Sequence, residues 1–177
     1  MAWRTCSGMP ATRSLKGAAR RNSAILIGFA LALAWAVWAG CIGALDVRSR
    51  RVSNRWFVGA LPLALGTLRH RHPSINLALL MGGAGLTVAL ALNLPAWLRG
   101  WTGGADVKAY ALVGLGFGAW HLLEIFLATS LLFGLAALAF WLRGGVKPKR
   151  LAMLPALGIS LCAWLVSGPW WWGDKLF

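Results

Sequence analysis

Long apolar runs separated by short polar gaps dominate this chain. A helix needs ~20 mostly apolar residues, at a rise of 1.5 Å each, to cross a bilayer. Measured against that length, the pattern predicts about six spans: Ala24 to Leu45, Trp56 to Leu68, Ile75 to Leu98, Val107 to Trp120, Leu122 to Leu142, and Leu151 to Trp172. The second and fourth are short and call for flanking residues, a thin local bilayer or a polar site at their ends. Pro62, Pro95 and Pro155 fall inside the runs. A bundle in lipid tolerates them because neighbouring groups re-satisfy the freed backbone. The expected fold is all-α, a polytopic transmembrane bundle over residues 24–172. A basic, poorly ordered tail over 1–23 precedes it and a short tail over 173–177 follows.

The small and aromatic residues fit that map. Trp56, Trp97, Trp101, Trp120, Trp141 and Trp170 to Trp172 fall near span ends, where an indole keeps its body in lipid and its N–H near water. Trp35, Trp38 and Trp164 fall inside spans and are expected to pack. Gly82, Gly83, Gly85 and the Gly114, Gly116, Gly118 series put small residues on helix faces, favouring close helix–helix approach.

Composition narrows the class. At 59% hydrophobic and 12% charged residues, with a mean hydropathy of +0.67, the chain is neither disordered nor an ordinary soluble domain. Three widely spaced cysteines exclude a disulfide-stapled module. Cys41 and Cys162 are expected to be buried packing residues. The net charge of +14 lies in the gaps between apolar runs, which suits anionic membrane lipids and not nucleic acid. It does not orient the bundle. With the loops after spans one, three and five in the cytoplasm, ten basic residues face eight. The first apolar run exceeds the ~7–15 residues of a signal-peptide core, so a first span is preferred over a cleaved leader.

The chemistry rests on the scarce acids: Asp46, Asp106, Glu124 and Asp174. An ionisable residue at a span is costly and marks a functional candidate. Asp46 closes the first span and Asp106 opens the fourth, so alternating spans bring both to one membrane face. Taken singly, each carboxylate is explained as a helix cap or an ion-pair partner. Glu124 and His121 stand at helical spacing and suggest an interfacial ion pair. Asp174 lies in a terminal tail beside Lys175. His70 and His72 lack a third ligand and are flanked by arginines, so no metal site is expected.

Two local sequences change the weight on the aspartates. Asp46 is followed by a basic stretch reaching Asn54 and Arg55, and Asp106 sits in Gly103-Gly104-Ala105-Asp106-Val107-Lys108. Together these resemble the type IV prepilin peptidase family, membrane aspartyl proteases with a Gly-x-Gly-Asp signature, over most of the chain from about Ala24 to Trp172. Asp46, Asn54, Asp106 and Lys108 match in order and context. The signature's second glycine is Ala105 here, a strained replacement if that position needs φ > 0. The paired Cys-x-x-Cys motifs of the longer, methylating members are missing, so the resemblance implies the short peptidase-only form, without methyltransferase activity. Leu154-Pro155-Ala156-Leu157 shares a Pro-Ala-Leu motif with presenilin-like proteases, but Leu45 stands where those have Tyr.

The resemblance implies cleavage of pilin-like precursor peptides at the cytoplasmic face of the inner (cytoplasmic) membrane, with Asp46 and Asp106 as catalytic residues and no cofactor. Two neighbouring carboxylates share a proton, so one can take a proton from water while the other polarises a carbonyl. Gly103 and Gly104 would let a substrate strand approach the backbone. Lys108, two residues from Asp106, does not share its helix face and is free to snorkel to headgroups. Two rival readings use the same residues: a small transporter relaying protons through the carboxylates, and a degenerate scaffold for pilus assembly, suggested by Ala105.

Overall fold

The computed structural model describes residues 11–49, 52–142 and 153–167. They form five helices: α1 (Ala11–Ser49), α2 (Asn54–Arg71), α3 (Ile75–Leu98), α4 (Gly104–Leu142) and α5 (Leu154–Ser167), with no strand among the described residues. Serine caps start two of them. Ser53 accepts from Arg55 N–H at 3.4 Å and Ser74 from Leu77 N–H at 3.2 Å, each meeting one of the donors a helix start leaves unpaired. Helix α1 begins ahead of Ala24 and carries the first apolar run to Ser49. The terminal segments 1–10 and 168–177, with Trp170 to Trp172 and Asp174, lie outside the described residues.

Helix α4 is two helices in one. Gly118, at φ 82° and ψ 174°, breaks it, and that φ is open to glycine without strain. The break reverses the chain. The Tyr110 and Phe126 rings lie 5.3 Å apart by centroid, whereas sixteen residues of straight helix would separate them by about 24 Å. The arm over 104–117 and the arm over 119–142 therefore run antiparallel, as the separate fourth and fifth spans predict.

Close glycine contacts set the partner of the first arm. A Cβ built on Gly85 of α3 would stand 2.0 Å from the Gly114 carbonyl oxygen, and one on Gly114 would stand 2.4 Å from that of Gly85. The two backbones touch because neither residue has a side chain. Gly82 faces Leu115 in the same way, whereas Gly83 has nothing within 4 Å. Of the six glycines expected to line helix contacts, then, Gly83 faces open space and Gly118 makes the reversal.

The core centres on Trp35, which is 0% exposed. Its Nε1 donates to Thr67 Oγ1 at 2.9 Å, and its ring meets Trp38 and Phe117 at 5.2 Å each. Gly116 makes room for it, since a Cβ there would lie 3.1 Å from the indole. Contacts fix the remaining directions: Gly43 and Gly158 of α1 and α5 meet Pro155 and Ala39, so those helices are antiparallel. Cys41 and Cys162 are free thiols and only half-buried, outside the core cluster, where burial was expected.

A polar cluster holds the reversal. Arg71 Nη1 donates to the Phe117 carbonyl at 3.4 Å, just where the break removes helical partners, and its guanidinium lies 5.9 Å from the Phe117 ring centroid. His121 Nδ1 and Glu124 Oε2 are 3.0 Å apart, the pairing their spacing predicts. Trp164 Nε1 donates to the same oxygen at 3.0 Å, so this indole does more than pack.

Asn22–Ser49, Ile75–Leu98 and Gly104–Ala139 are long and apolar enough to cross a membrane. The third has 36 residues, well beyond the ~20 of one crossing, and is divided by the reversal. Exposed Leu26, Phe29, Val37, Leu79 and Leu131 cover the outside of the bundle. Such a surface suits lipid. The protein is a helical membrane bundle.

Replacing Gly85 by Ala is expected to lower the melting temperature in detergent through a cost of about 1–3 kcal/mol from overpacking. Gly83→Ala, on the open side of the same helix, should leave it unchanged or slightly raised.

Candidate active site

The end of α1, the start of α2 and the start of α4 meet at one end of the bundle. Lys108 Nζ donates to Asn54 Oδ1 at 2.6 Å, tying the first residue of α2 to the second turn of α4, and lies 6.0 Å from the Phe57 ring centroid. Lys108, whose position also leaves it free to snorkel, thus has a protein partner. Gly116 against Ala64 and Phe117 against Arg71 continue this side-by-side, parallel alignment to the far end.

Asp46, half-buried in the last turn of α1, falls at the same end, near enough for its charge to act on Asp106. Pro155, near the start of α5, packs against Gly43 one turn earlier, with a Cβ on Gly43 3.3 Å from the proline Cα. The Pro-Ala-Leu segment therefore lies beside the turn of α1 that carries Asp46.

Asp106 is 8% exposed. Its Oδ2 accepts from Gly103 N–H at 2.9 Å, and its own N–H donates to the Gly103 carbonyl at 3.1 Å. This is the reach-back half of a capping box, in which the third helical residue satisfies the cap residue's N–H. Asp106 does cap α4, and the bond fixes the orientation of its carboxylate. A Cβ on Gly103 would stand 3.2 Å from Oδ2, so a side chain there would press on the carboxylate. Gly104 has looser surroundings, with Trp97 Nε1 3.5 Å from a built Cβ.

Ala105 lies inside regular helix, half-buried at the edge of the core. Positive φ occurs in this turn region at Gly100, not at position 105. Alanine is therefore unstrained at the signature's variant position.

The sequence model of the type IV leader peptidase family matches residues 31–139. The chain belongs to that family. The matched segment contains Asp46, Asn54, Gly103, Gly104, Ala105, Asp106 and Lys108, and ends in the second arm of α4. This family is one of peptidases, so the chain is a leader-peptidase-like protease of the membrane. Searches of the curated proteins and of the solved structures gave no match.

Sequence patterns alone missed two features. The Lys108–Asn54 bond joins residues far apart in the chain and has no local signal. Tyr110, one turn beyond Asp106, is fully buried, and nothing local in its apolar run distinguishes it from a packing residue.

A double-mutant cycle with Asn54→Ala and Lys108→Ala should show non-additive losses of stability. We expect a coupling of about 0.5–1.5 kcal/mol. Additive losses would mean that the two side chains do not hold α2 to α4.

Proposed function

We propose that the protein is an aspartyl endopeptidase that cuts the leader from pilin-like precursors, with Asp46 and Asp106 as its catalytic pair. What supports the reading is that Asp46, in the last turn of α1, and Asp106, in the first turn of α4, stand at the same end of the bundle, in a chain of the leader peptidase family.

The ionised member of the pair takes a proton from water as the water oxygen attacks the scissile carbonyl carbon. The protonated member donates to the carbonyl oxygen. Collapse of the tetrahedral intermediate breaks the C–N bond, and the leaving nitrogen takes up a proton from the pair. The two groups titrate together, so the roles belong to the pair and not to one residue. The capping bond from Gly103 keeps the Asp106 carboxylate from rotating out of line. Lys108 and Asn54 hold α2 beside it, with Gly103 and Gly104 as the approach for the substrate backbone.

In this reading the site lies at the cytoplasmic face of the inner membrane. Arg48, Arg55 and Arg99, at the same end of the bundle, then meet anionic headgroups.

Purified protein in detergent, incubated with a pilin-like precursor peptide, should release the leader. Asp46→Asn and Asp106→Asn should each lower the cleavage rate by roughly 10²–10⁴-fold while the helical content is kept. Normal cleavage by either variant would exclude the pair as the catalytic machinery. A pH-driven ion flux in vesicles without any cleavage would favour a transporter instead.

A further inference from the structure

The Tyr110 hydroxyl is buried, has no hydrogen-bond partner, and lies beside the group on which the proposed chemistry depends. Tyr110 is the only tyrosine of the chain and is 0% exposed. A buried polar group left unpaired destabilises the fold, and most such groups in folded proteins find a partner. An unpaired phenol in an otherwise apolar contact therefore needs a reason.

Its direction supplies one. The ring packs edge-on against Phe126, 5.3 Å away by centroid. Its hydroxyl lies next to Thr129, which is nearly one turn further along the returning arm. Because that arm runs back from Gly118 towards the end of the bundle holding Asp106, the phenol points from the reversal towards the carboxylate. Helical side chains of this size lean the same way, towards the N-terminus. Asp106 is four residues earlier, on the same face of the helix, and near enough for its charge to reach the phenol.

Thr129 is a polar neighbour of that hydroxyl. Its own O–H donates to the Ile125 carbonyl at 2.7 Å, and no hydrogen bond of normal geometry joins it to Tyr110. A second hydroxyl in the same state, that of Thr102, is buried and unpartnered directly before Gly103, whose N–H holds Asp106. Two unpaired donors thus flank one buried carboxylate within the turn before it and the turn after it.

We infer that Tyr110 is a positioning residue for Asp106: its O–H donates to the water that Asp106 activates, fixing that water in line with the scissile carbonyl. Phenol and carboxylate hold the water from two sides, and the phenol keeps its proton throughout, so the bonds made and broken are those of the hydrolysis already described. The inference rests on the aspartyl-peptidase reading and adds a residue to it.

Tyr110→Phe keeps the ring against Phe126 and removes only the oxygen. A purely structural tyrosine predicts equal or higher thermal stability with unchanged kinetics, since an unpaired buried hydroxyl has been deleted. A positioning tyrosine predicts that same stability with kcat lowered about tenfold or more and KM within twofold, the loss of one hydrogen bond in the transition state. A single tyrosine also gives a single ¹⁹F resonance when 3-fluorotyrosine is incorporated into the full chain. That resonance should shift in Asp106→Asn and stay in place in Glu124→Gln, at the opposite end of the bundle. Wild-type kcat in Tyr110→Phe, or a resonance indifferent to Asp106→Asn, overturns the role of Tyr110. If Asp106→Asn is inactive in the same assay, the peptidase reading survives that result. If Asp106→Asn cleaves normally, the peptidase reading fails, and the inference with it.

Discussion

The backbone contact between Gly85 and Gly114 is the constraint from which the rest of the structure follows. No side chain separates the two helices there, and any Cβ would collide with a carbonyl. That contact seats the first arm of α4 along α3, with the arm's start at the end of α3 and its finish at Gly118. Association in lipid lacks the hydrophobic driving force that works in water and depends on such close packing. Once the arm is seated, Gly116 admits Trp35 into the centre of the bundle, and Asp106 and Lys108 are carried to the ends of α1 and α2.

The two ends of that arm are treated differently. At Gly118 the chain reverses, and the resulting unpaired carbonyl is met by Arg71, with Glu124, His121 and Trp164 locked around it. At Gly104 the helix begins under its own capping bond from Gly103 to Asp106. One end spends its polar groups on one another. The other fixes a buried carboxylate by one backbone bond and leaves two nearby hydroxyls without partners. The proposed site belongs at the second end, where polar groups remain for a substrate and a water.

Much of this was legible along the chain. The apolar runs located each described helix, although α2 and α5 are not among those long and apolar enough to cross, and the separate fourth and fifth spans correspond to two arms that hydrogen-bonding continuity alone would join. Glu124 and His121 pair because residues three apart share a helix face, which a sequence displays directly. The Gly-rich turn, Asn54 and Lys108 could be picked out only through resemblance to a family, since a 2.6 Å bond between positions 54 and 108 has no local periodicity. Gly118 was indistinguishable from its neighbours because glycine serves both close packing and positive φ, and only the backbone angle separates the two uses. Tyr110 was hidden for a related reason: in an apolar run an aromatic ring counts as packing until its hydroxyl is found unpaired.

The account stands or falls on Asp46 and Asp106 sharing one end of the bundle. Spin labels at both positions, introduced as cysteines in a chain whose three native cysteines have been replaced, test this in lipid vesicles. The account predicts strong dipolar broadening in the doubly labelled protein compared with either single label. A separation approaching the ~30 Å thickness of the hydrocarbon core would place the two carboxylates on opposite faces of the membrane and contradict it.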